Sequence, residues 1–467
     1  MYIKQIYTAC LSESAYFVES EGEAILIDPL RDIEPYLELA REHHAKIKYI
    51  FETHIHADFI SGHLDLSKIT GAPIVFGPNT EVNFPFHLAK DGELFKIGNV
   101  TLEVIHTPGH TLESTCYILK NETGKSYCIF TGDTLFVGDV GRPDLSSGDK
   151  SREELASIMY DSLQNKIMPL ENDIIVYPAH GPGTSCGKNL GSETSTTIGE
   201  QKKNNYALNP QSREQFITSL TDGLDAAPAY FSLNAKINKE GYSNLDDVKR
   251  KGLTQLTVAE LKTKMAQGST ALDTRPGFDF VNGFVPGSLF IGLEGRFAEW
   301  AGTLLPFNGN IILITEPGRE EETIVRLARV GFDNVEGYLA GGFNAWEQAG
   351  EPIDIIIDIE PDELAMDIPY DENLLILDVR KGNEFAEGHV TDALNLPLGD
   401  MIDIAQIAGL EENKNIYVHC GGGYRSLIAS SILKSHGYHN IRNIAGGWKK
   451  IKDQKNISTE KEGSVLN

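Results

Sequence analysis

The sequence predicts a multidomain α/β protein, and three observations carry this prediction. The chain has 467 residues, more than one ordinary core accommodates, so roughly two to four domains are expected. Short apolar strand patterns alternate with helical patches along the chain, which indicates mixed α/β layers. The last part of the chain contains an internal repeat, in which Asp378-Val379-Arg380 matches Asp273-Thr274-Arg275 at an offset of 105 positions (273 to 378).

Composition and charge restrict the class of partner. Hydrophobic residues make up 41% and charged residues 23% of the chain, an ordinary balance for a globular protein. The formal net charge of −26 repels phosphate backbones, so we expect no nucleic-acid partner and disfavour a nuclease. No apolar stretch approaches the roughly 18 residues of a membrane span, and no secretory leader pattern is visible. The 5 cysteines are scattered, unlike a disulfide framework, so we expect a cytoplasmic protein that binds no membrane.

Residues 1–245 place histidine, aspartate and glycine directly after predicted strands. The first such cluster is Thr53-His54-Ile55-His56-Ala57-Asp58, where an extended backbone puts His54 and His56 on the same side. Three further clusters follow in order along the chain: Thr107-Pro108-Gly109-His110-Thr111, Thr131-Gly132-Asp133-Thr134 and Tyr177-Pro178-Ala179-His180-Gly181. Functional residues often lie on loops that a rigid scaffold positions. The histidines and aspartates of these clusters indicate a metal site.

Together the four clusters resemble the metallo-β-lactamase superfamily. The resemblance implies an αββα sandwich over residues 1–245, with the metal at one edge. Members that bind two metals read His-x-His-x-Asp-His, whereas Phe59 occupies the last of these positions here. Phenylalanine cannot ligate a metal, so a mononuclear site is favoured over a zinc pair.

Persulfide dioxygenases of this superfamily bind one iron, and the resemblance to them implies a ligand set and one Fe(II) per chain. The ligands carried over are His54, His110 and Asp133. Two imidazoles and one carboxylate leave open positions, where O2 and a persulfide sulfur can bind. Three further residues would orient ligands or water: His56, Asp58 and His180. Those enzymes normally keep the histidine that Phe59 replaces here, but it is not one of the carried-over ligands.

Two residues near these clusters are candidates for handling the substrate. Arg142, in a Gly-Arg-Pro-Asp segment, resembles the arginine that faces the carboxylate of a thiol-bearing substrate; the alternative is a loop arginine paired with Asp144. Cys186 lies in a glycine-rich loop, where Lys188 should favour its thiolate and let it accept or pass on sulfur. The alternative is an inert loop cysteine.

The repeat divides the rest of the chain into 250–352 and 358–456, followed by a polar tail at 457–467. In the second repeat, 358–456, an apolar strand runs into Cys420-Gly421-Gly422-Gly423-Tyr424-Arg425, and a helix is expected from about Ser426. Glycines let backbone N–H groups turn inward, and the helix adds the positive end of its dipole. The loop should therefore hold an anion and favour a thiolate at Cys420, the alternative being a buried core cysteine.

The second repeat resembles the rhodanese family of sulfurtransferases. The resemblance rests on Asp378-Val379-Arg380, Gly388-His389-Val390, the Cys-x4-Arg loop and Gly446-Gly447-Trp448. It implies that Cys420 is the nucleophile and that Arg425 binds the anion. Cysteine-dependent phosphatases use a loop one residue longer, so the shorter loop favours sulfur over phosphate.

Thr315 occupies the position in the first repeat that Cys420 occupies in the second repeat. The first repeat, 250–352, should therefore be an inactive rhodanese-like domain. Each repeat alternates strand and helix patterns, so each should be a small α/β domain with a mainly parallel sheet.

The combination resembles persulfide dioxygenase–sulfurtransferase fusions and implies coupled sulfur chemistry. A low-molecular-weight thiol persulfide, of glutathione or coenzyme A type, would be oxidised by O2 to sulfite and thiol. Cys420 would transfer sulfane sulfur between persulfide, sulfite and thiosulfate. Two alternatives stay open: a thioester hydrolase like glyoxalase II with a rhodanese passenger, and a non-enzymatic sulfur carrier or sensor. We also expect a homo-oligomer.

Overall fold

The structure is a computed structural model that describes residues 1–145, 150–188, 190–224, 226–411 and 413–461. These residues form two compact units. One unit is Met1–Asp247 with Val325–Asp333, and the other is Val248–Ile324 with the described residues from Asn334 onward. Among the described residues, every helix is too short or too polar to cross a membrane.

Two six-stranded sheets build the first unit. The first sheet takes its strands in chain order: β1 Tyr2–Thr8, β2 Glu13–Ser20, β3 Glu23–Ile27, β4 Lys46–Phe51, β5 Ile74–Phe76 and β6 His87–Leu88. The strands of the second sheet are β7 Leu94–Ile97, β8 Val100–His106, β9 Thr115–Lys120, β10 Ser126–Gly132, β11 Ile175–Pro178 and β12 Thr196–Thr197. Their spatial order is β12-β11-β10-β9-β8-β7. Both sheets are mixed, since β3 to β6 and the β10–β11 pair are parallel and most other neighbours are antiparallel.

Side-chain alternation along the strands explains why the two sheets face each other with helices outside. On β2, Tyr16 and Val18 enter a core shared with Leu119 and Phe130 of the second sheet, whereas Phe17 points to the opposite face. The helices that cover the first sheet are α1 Glu34–Glu42 and α2 His63–Thr70. Those on the second sheet are α3 Arg152–Ser162, α4 Ile198–Asn204 and α5 Arg213–Thr221, and α6 Tyr230–Glu240 and α7 Leu245–Gly252 follow.

The second unit holds two five-stranded sheets of the same topology. The strands of the first are β13 Gln255–Leu256, β14 Thr270–Asp273, β15 Leu289–Phe290, β16 Ile311–Ile314 and β17 Val335–Leu339, ordered β13-β17-β16-β14-β15. The strands after them are β18 Ile357–Ile359, β19 Leu374–Asp378, β20 His389–Val390, β21 Leu394–Asn395, β22 Asn415–His419, β23 Ile441–Ile444 and β24 Thr459–Glu460. The second sheet is ordered β18-β23-β22-β19-β21. Every pairing in both sheets is parallel.

Helices connect these parallel strands, as a parallel sheet requires. Those of the first domain are α8 Val258–Ala266, α9 Gly277–Asn282, α10 Phe297–Leu304, α11 Glu320–Ala328 and α12 Gly342–Gln348. Those of the second domain are α13 Pro361–Asp367, α14 Gly382–Ala386, α15 Ile404–Ala408, α16 Tyr424–Ser435 and α17 Trp448–Ile451. The predicted fold class is therefore confirmed: a helix-covered two-sheet sandwich precedes two parallel α/β domains.

The repeated Asp-x-Arg motif forms a buried ion pair. Arg380 donates from Nη2 to Asp378 at 2.5 Å and to the carbonyl oxygen of Gly388 at 2.7 Å. Its guanidinium carbon lies 4.6 Å from the centre of the Trp448 ring. The arginine therefore ties the end of β19 to the loop before β20 and to the aromatic residue that follows β23.

The first domain repeats this arrangement with other residues at equivalent positions. Arg275 donates to Asp273 at 2.7 Å and to the carbonyl oxygen of Gly283 at 2.8 Å, and its guanidinium lies 4.2 Å from the Phe343 ring centre. The motif that revealed the repeat in the sequence is thus a structural element of the fold and does not by itself indicate activity.

Replacing Arg380 with alanine should lower the free energy of unfolding of the second domain by about 3–5 kcal/mol, because Asp378 would be left as an unpaired buried charge. Urea denaturation of the full chain measures this change. The control is Lys455→Ala at an exposed position, where a change within about 0.5 kcal/mol is expected. Equal effects of the two substitutions would contradict the structural role.

The beginning of the polar tail is structured. Ile457 is buried, and β24 pairs antiparallel with β20. Residues 462–467 of the predicted tail lie outside the described residues.

Candidate metal centre and cysteine loop

Loops that follow strands of the sandwich bring the predicted metal residues together. His54, His56 and Asp58 follow β4, His110 lies between β8 and β9, Asp133 follows β10, and His180 follows β11. Close approach of two of these loops requires glycine at position 132. Gly132 has a φ of 51°, and a Cβ there would lie 2.5 Å from Thr53 Oγ1.

The predicted iron ligands form one buried cluster. Ligand atoms of His54, His110 and Asp133 lie within 4.8 Å of one another. Asp133 Oδ2 is 4.0 Å from His54 Nε2 and 3.4 Å from His110 Nε2. Neither carboxylate oxygen of Asp133 has a hydrogen-bond partner among the described residues. A buried carboxylate without donors is costly, so the cluster fits a bound cation.

The other nitrogen of each histidine in the cluster is held by the protein. His54 Nδ1 lies 3.0 Å from Thr53 Oγ1, and His110 Nδ1 lies 2.7 Å from the carbonyl oxygen of Arg142. These contacts leave both Nε2 atoms for a metal. Burial, followed by the neighbouring His56 and His110, lowers the pKa of His54 well below its ordinary value. His54 is therefore a neutral imidazole, the form that ligates metals.

His56 pairs with two carboxylates and does not join the cluster. Its Nε2 lies 3.1 Å from Asp28 Oδ1 and 3.3 Å from Glu52 Oε2, and its ring stacks on Phe59 with centres 4.3 Å apart. Burial alone would lower the pKa of His56, but Asp28 and Glu52 outweigh burial and raise it well above its ordinary value. Its Nε2 faces these two carboxylates, so His56 lies outside the cluster of His54, His110 and Asp133. Ligand atoms of Asp28, Glu52 and His56 lie within 4.8 Å of one another and form a separate buried group.

Asp28 connects this pair to His54, a predicted ligand. The Asp28 carboxylate accepts hydrogen bonds from the backbone N–H of Thr53 at 2.7 Å and from its hydroxyl at 2.9 Å. Since the hydroxyl hydrogen is used in this way, the Thr53 oxygen accepts from His54 Nδ1. The chain of contacts fixes the tautomer of His54 and leaves Nε2 unprotonated. Sequence reasoning missed Asp28 and Glu52, which belong to no motif.

A second buried cluster adjoins the first through Asp133. Ligand atoms of Asp58, His180 and Cys186 lie within 4.8 Å of one another. His180 Nε2 is 3.3 Å from Asp58 Oδ2 and 3.4 Å from Asp133 Oδ1. The structure thus places Cys186, predicted as a sulfur relay, in a group that can also hold a metal.

The expectation that Lys188 favours the Cys186 thiolate is wrong. The Lys188 ammonium donates to the backbone carbonyl oxygens of Ser219, at 2.9 Å, and Asp222. Burial, followed by the charges of Asp58 and Asp133, raises the pKa of the Cys186 thiol well above its ordinary value. Without a cation bound nearby, Cys186 is a neutral thiol.

Arg142 is buried and pairs with Asp144, the alternative raised by the sequence. Its guanidinium donates to both carboxylate oxygens of Asp144, at 2.6 and 2.8 Å. Its backbone has a further role, because the N–H donates to the Cys186 carbonyl oxygen at 2.9 Å and the carbonyl oxygen holds His110. A role for the Arg142 side chain in binding a substrate carboxylate stays a prediction.

The cysteine loop follows β22, and α16 begins at Tyr424, two residues earlier than expected. Cys420 is buried, and its Sγ accepts a hydrogen bond from the backbone N–H of Gly423 at 3.1 Å. The Cys420 thiol points to Ser426 Oγ at 3.7 Å, and the Ser426 hydroxyl itself donates to the Gly423 carbonyl oxygen at 2.9 Å. A backbone N–H such as that of Gly423 can hold a thiolate or the outer sulfur of a persulfide.

A second glycine fixes the back of this loop. Gly447 has a φ of 55°, and a Cβ there would lie 2.2 Å from the Cys420 carbonyl oxygen. That oxygen also accepts from the backbone N–H of Trp448 at 2.6 Å. The Gly-Gly-Trp motif therefore supports the cysteine loop directly, which explains its place in the resemblance.

Arg425, predicted as the anion binder, is already paired with a carboxylate. Its two terminal nitrogens donate to Glu384 at 2.6 and 2.8 Å. A Cβ at Gly421 would lie 3.2 Å from Arg425 Nη2, so the pair lies against the loop. Any anion at Cys420 must share this guanidinium with Glu384, a partner that sequence reasoning did not identify.

The equivalent loop of the first domain contains acidic side chains and no thiol. Thr315 follows β16 at the position equivalent to Cys420. Arg319, four residues further on, is paired with three carboxylates, those of Glu294, Glu316 and Glu322. This loop has neither the nucleophile nor an uncommitted cation for an anionic substrate.

Comparison with protein families supports this division of the chain. The metallo-β-lactamase superfamily matches residues 8–180, and the rhodanese-like domain matches twice, at residues 257–349 and 360–454. A metallo-β-lactamase of known structure from Staphylococcus aureus is 31% identical, with a TM-score of 0.64, and the match covers 72% of this chain and 98% of that one.

Curated relatives of the N-terminal domain have two different activities. The hydroxyacylglutathione hydrolase GloC of Haemophilus influenzae is 29% identical over 44% of this chain and 96% of its own length. The human mitochondrial persulfide dioxygenase ETHE1 is 32% identical over 34% of this chain, and the match spans 59% of that enzyme. These relatives match the metallo-β-lactamase part of the chain alone. From the family matches and the fold, the chain belongs to the metallo-β-lactamase superfamily through its N-terminal domain and continues with two rhodanese-like domains.

Proposed function

We propose that this chain oxidises a low-molecular-weight thiol persulfide with O2 at one Fe(II) and transfers sulfane sulfur through Cys420. The observation that carries the proposal is the buried cluster of His54, His110 and Asp133. Two imidazoles and one carboxylate are typical of non-haem Fe(II) oxygenases. The pairing of His56 with Asp28 and Glu52 supports it, because it withholds a third imidazole that a zinc hydrolase would use.

The overall oxidation balances as RSSH + O2 + H2O → RSH + H2SO3. Fe(II) held by the cluster would supply O2 activation and a binding position for sulfur. The protein's own contribution is to orient the two imidazoles through Thr53 and the Arg142 carbonyl. Burial of the cluster excludes bulk water, which protects a persulfide from side reactions. The carrier thiol is of glutathione or coenzyme A type, with Arg142 as the candidate contact for its carboxylate.

Sulfur transfer at Cys420 requires no metal. The Cys420 thiolate attacks the outer sulfur of a persulfide, the S–S bond breaks, and the carrier thiol leaves with the electron pair. Sulfite can then attack the outer sulfur of the Cys420 persulfide, which forms thiosulfate and regenerates the thiolate. Every step is reversible, so the loop serves either direction. The Gly423 N–H that contacts Sγ is placed to stabilise both forms.

A thioester hydrolase is the second candidate function, and a specific observation favours it. The cluster of Asp58, His180 and Cys186 adjoins the first cluster through Asp133. If both clusters held zinc, the pair could activate a water molecule for hydrolysis. The relatives with hydrolase activity point in the same direction.

Metal loading separates the two candidates. We expect the full chain to bind one equivalent of iron, to consume O2 with glutathione persulfide, and to leave glutathione thioesters intact. Elemental analysis, an oxygen electrode and a thioester absorbance assay on the same iron-loaded and zinc-loaded samples give the three readouts. Two equivalents of zinc with rapid thioester hydrolysis, and no O2 uptake in the iron form, would overturn the proposal.

A further inference from the structure

A short segment of the inactive rhodanese-like repeat is part of the metal-binding unit. Residues Val325–Asp333 lie, in chain order, inside the first rhodanese-like match, but they pack within the first compact unit. The segment consists of the last turn of α11 and the residues that follow it. Its contacts inside that unit are with the loop after β3 and with the loop that carries the first predicted metal ligand.

Two ion pairs of opposite direction tie the segment to the loop after β3. Arg31 donates to the carboxylate of Asp333 at 2.5 and 2.8 Å, and Arg329 donates to the carboxylate of Asp32 at 2.6 and 2.8 Å. The Arg31 side chain is 1% exposed and also donates to the carbonyl oxygen of Ala328 at 3.1 Å. Because each pair is bidentate, it fixes the orientation of the two backbones as well as their separation.

The loop after β3 packs directly on the loop that follows β4 and carries the metal residues. The backbone N–H of Gly62 donates to the carbonyl oxygen of Pro29 at 2.7 Å, and a Cβ at Gly62 would lie 2.1 Å from the carbonyl oxygen of Leu30. The same loop begins at Asp28, whose carboxylate fixes the tautomer of His54 through Thr53. A shift of the loop after β3 would therefore reach the predicted ligand.

The segment also contacts the metal loop directly. The backbone N–H of Ile60 donates to the carbonyl oxygen of Arg329 at 2.7 Å. On the residues just before Ile60, the side-chain amide of Asn238, on α6, donates to the carbonyl oxygens of His56 and Phe59 at 2.8 and 2.7 Å. The backbone from 56 to 60 is thus held both by α6 and by the segment from the inactive repeat.

We propose that the inactive repeat supplies Arg329 and Asp333 as positioning residues of the metal centre. Through the two ion pairs and the hydrogen bond to Ile60, they hold the two loops that orient His54. This inference rests on the metal-binding part of the proposed function. It gives the repeat without a thiol a role in metal binding at the N-terminal domain.

The affinity of the metal-free full chain for Co(II) tests the inference without turnover. Competition with a chromophoric chelator gives the affinity, and the visible spectrum of bound Co(II) reports the ligand geometry. Asp32→Arg sets two guanidinium groups against each other. It should change the spectrum and weaken binding by about tenfold, the lower end of the effect typical of losing a supporting hydrogen bond at a metal site.

Rescue by charge reversal separates this contact from a general disturbance. Asp32→Arg combined with Arg329→Asp restores an ion pair of opposite direction and leaves the backbone hydrogen bond between Arg329 and Ile60 in place. The double variant should therefore recover most of the Co(II) affinity and the spectrum of the unaltered chain. If the affinity stays as low as in Asp32→Arg alone, the positioning role is wrong.

Two further variants separate positioning from stability. Asp173→Arg reverses an exposed pair with Lys125 just before β11, at the end of that strand opposite to the metal loops, and should leave Co(II) binding unchanged. Arg31→Lys keeps the charge but loses the bidentate contact with Asp333, so it should weaken Co(II) binding even if Asp32→Arg does not fold. Equal weakening in Asp173→Arg would overturn the inference.

Urea unfolding of the metal-free variants gives the stability readout. Ion pairs with only a structural role would lower the urea midpoint and leave the Co(II) affinity and spectrum of the folded protein unchanged. That result in the folded variants among Asp32→Arg and Arg31→Lys would overturn the inference.

The failure of this inference is distinguishable from the failure of the proposed function. If the iron-loaded unaltered chain consumes no O2 with a persulfide, while Co(II) binding weakens in Asp32→Arg and recovers in the double variant, the proposed function fails and the positioning role holds. If the unaltered chain consumes O2 but these substitutions leave Co(II) binding unchanged, the positioning role alone is wrong.

Discussion

Replacing Cys420 with serine should lower thiosulfate–thiol sulfurtransferase activity by on the order of 10³-fold or more, because a hydroxyl cannot hold sulfane sulfur. Cys420 is the one cysteine beyond position 186, so no neighbouring thiol in the rhodanese-like domains can replace it. The measurement is the steady-state rate with thiosulfate and a thiol acceptor. Cys10→Ser, at a partly exposed free cysteine, is the matched control and should be unaffected.

The Cys420→Ser variant should keep persulfide-dependent O2 uptake. The proposed metal ligands belong to the first unit and Cys420 to the second, and the two proposed reactions use different residues. Sulfite should therefore accumulate in Cys420→Ser where the unaltered chain also forms thiosulfate. Unchanged sulfurtransferase activity in this variant would remove the role of Cys420.

Replacing His110 with alanine should abolish iron binding and persulfide-dependent O2 uptake while leaving sulfurtransferase activity in place. His110 supplies one of two imidazole nitrogens that face Oδ2 of Asp133, and its ring is held by the Arg142 carbonyl. Loss of a direct ligand should reduce metal affinity by more than the roughly 10–100-fold typical of losing a supporting hydrogen bond. Iron content after gel filtration and O2 uptake measure the effect.

The control for this variant is His87→Ala, at a side chain that is 46% exposed and paired with Glu93. It should bind iron and consume O2 as the unaltered chain does. Full iron occupancy in His110→Ala would contradict the assignment of the cluster and favour the neighbouring group around Asp58 and His180.

The fold was predictable because its signals are local or periodic. Alternation along strands and a repeat at a fixed offset identify two parallel α/β domains, and the structure gives both the same strand order. The repeated Asp-x-Arg motif survives in the domain without a thiol, since its arginines tie strand to loop in both. That part of the pattern therefore reports the fold and does not indicate catalysis.

The residues at the centre of each candidate site could be recognised from short sequence motifs. The residues that pair with them could not be recognised in this way. His54, His110 and Asp133 each lie in a short motif, and Cys420 lies in a glycine-rich loop. The carboxylate that pairs with Arg425 comes from Glu384, on a different helix. Pairings across long sequence separations leave no spacing signature.

Cys186 also shows the limit of prediction from sequence distance, because here the sequence suggested a contact that the structure lacks. Its proximity in sequence to Lys188 suggested a thiolate, but backbone carbonyls engage the lysine and the nearest charged groups are carboxylates. Burial and charge then favour the neutral thiol. Sequence distance predicted a contact that the three-dimensional loop does not make.

The most direct test of the central claim is the amount of O2 consumed per persulfide by the iron-loaded full chain. We expect one O2 for each glutathione persulfide that is oxidised to sulfite, which is the whole reaction in Cys420→Ser. In the unaltered chain the ratio should fall towards one O2 for two persulfides, because Cys420 transfers the sulfur of a second persulfide to sulfite and forms thiosulfate. Persulfide loss without O2 uptake, in protein shown by elemental analysis to contain iron, would contradict the claim.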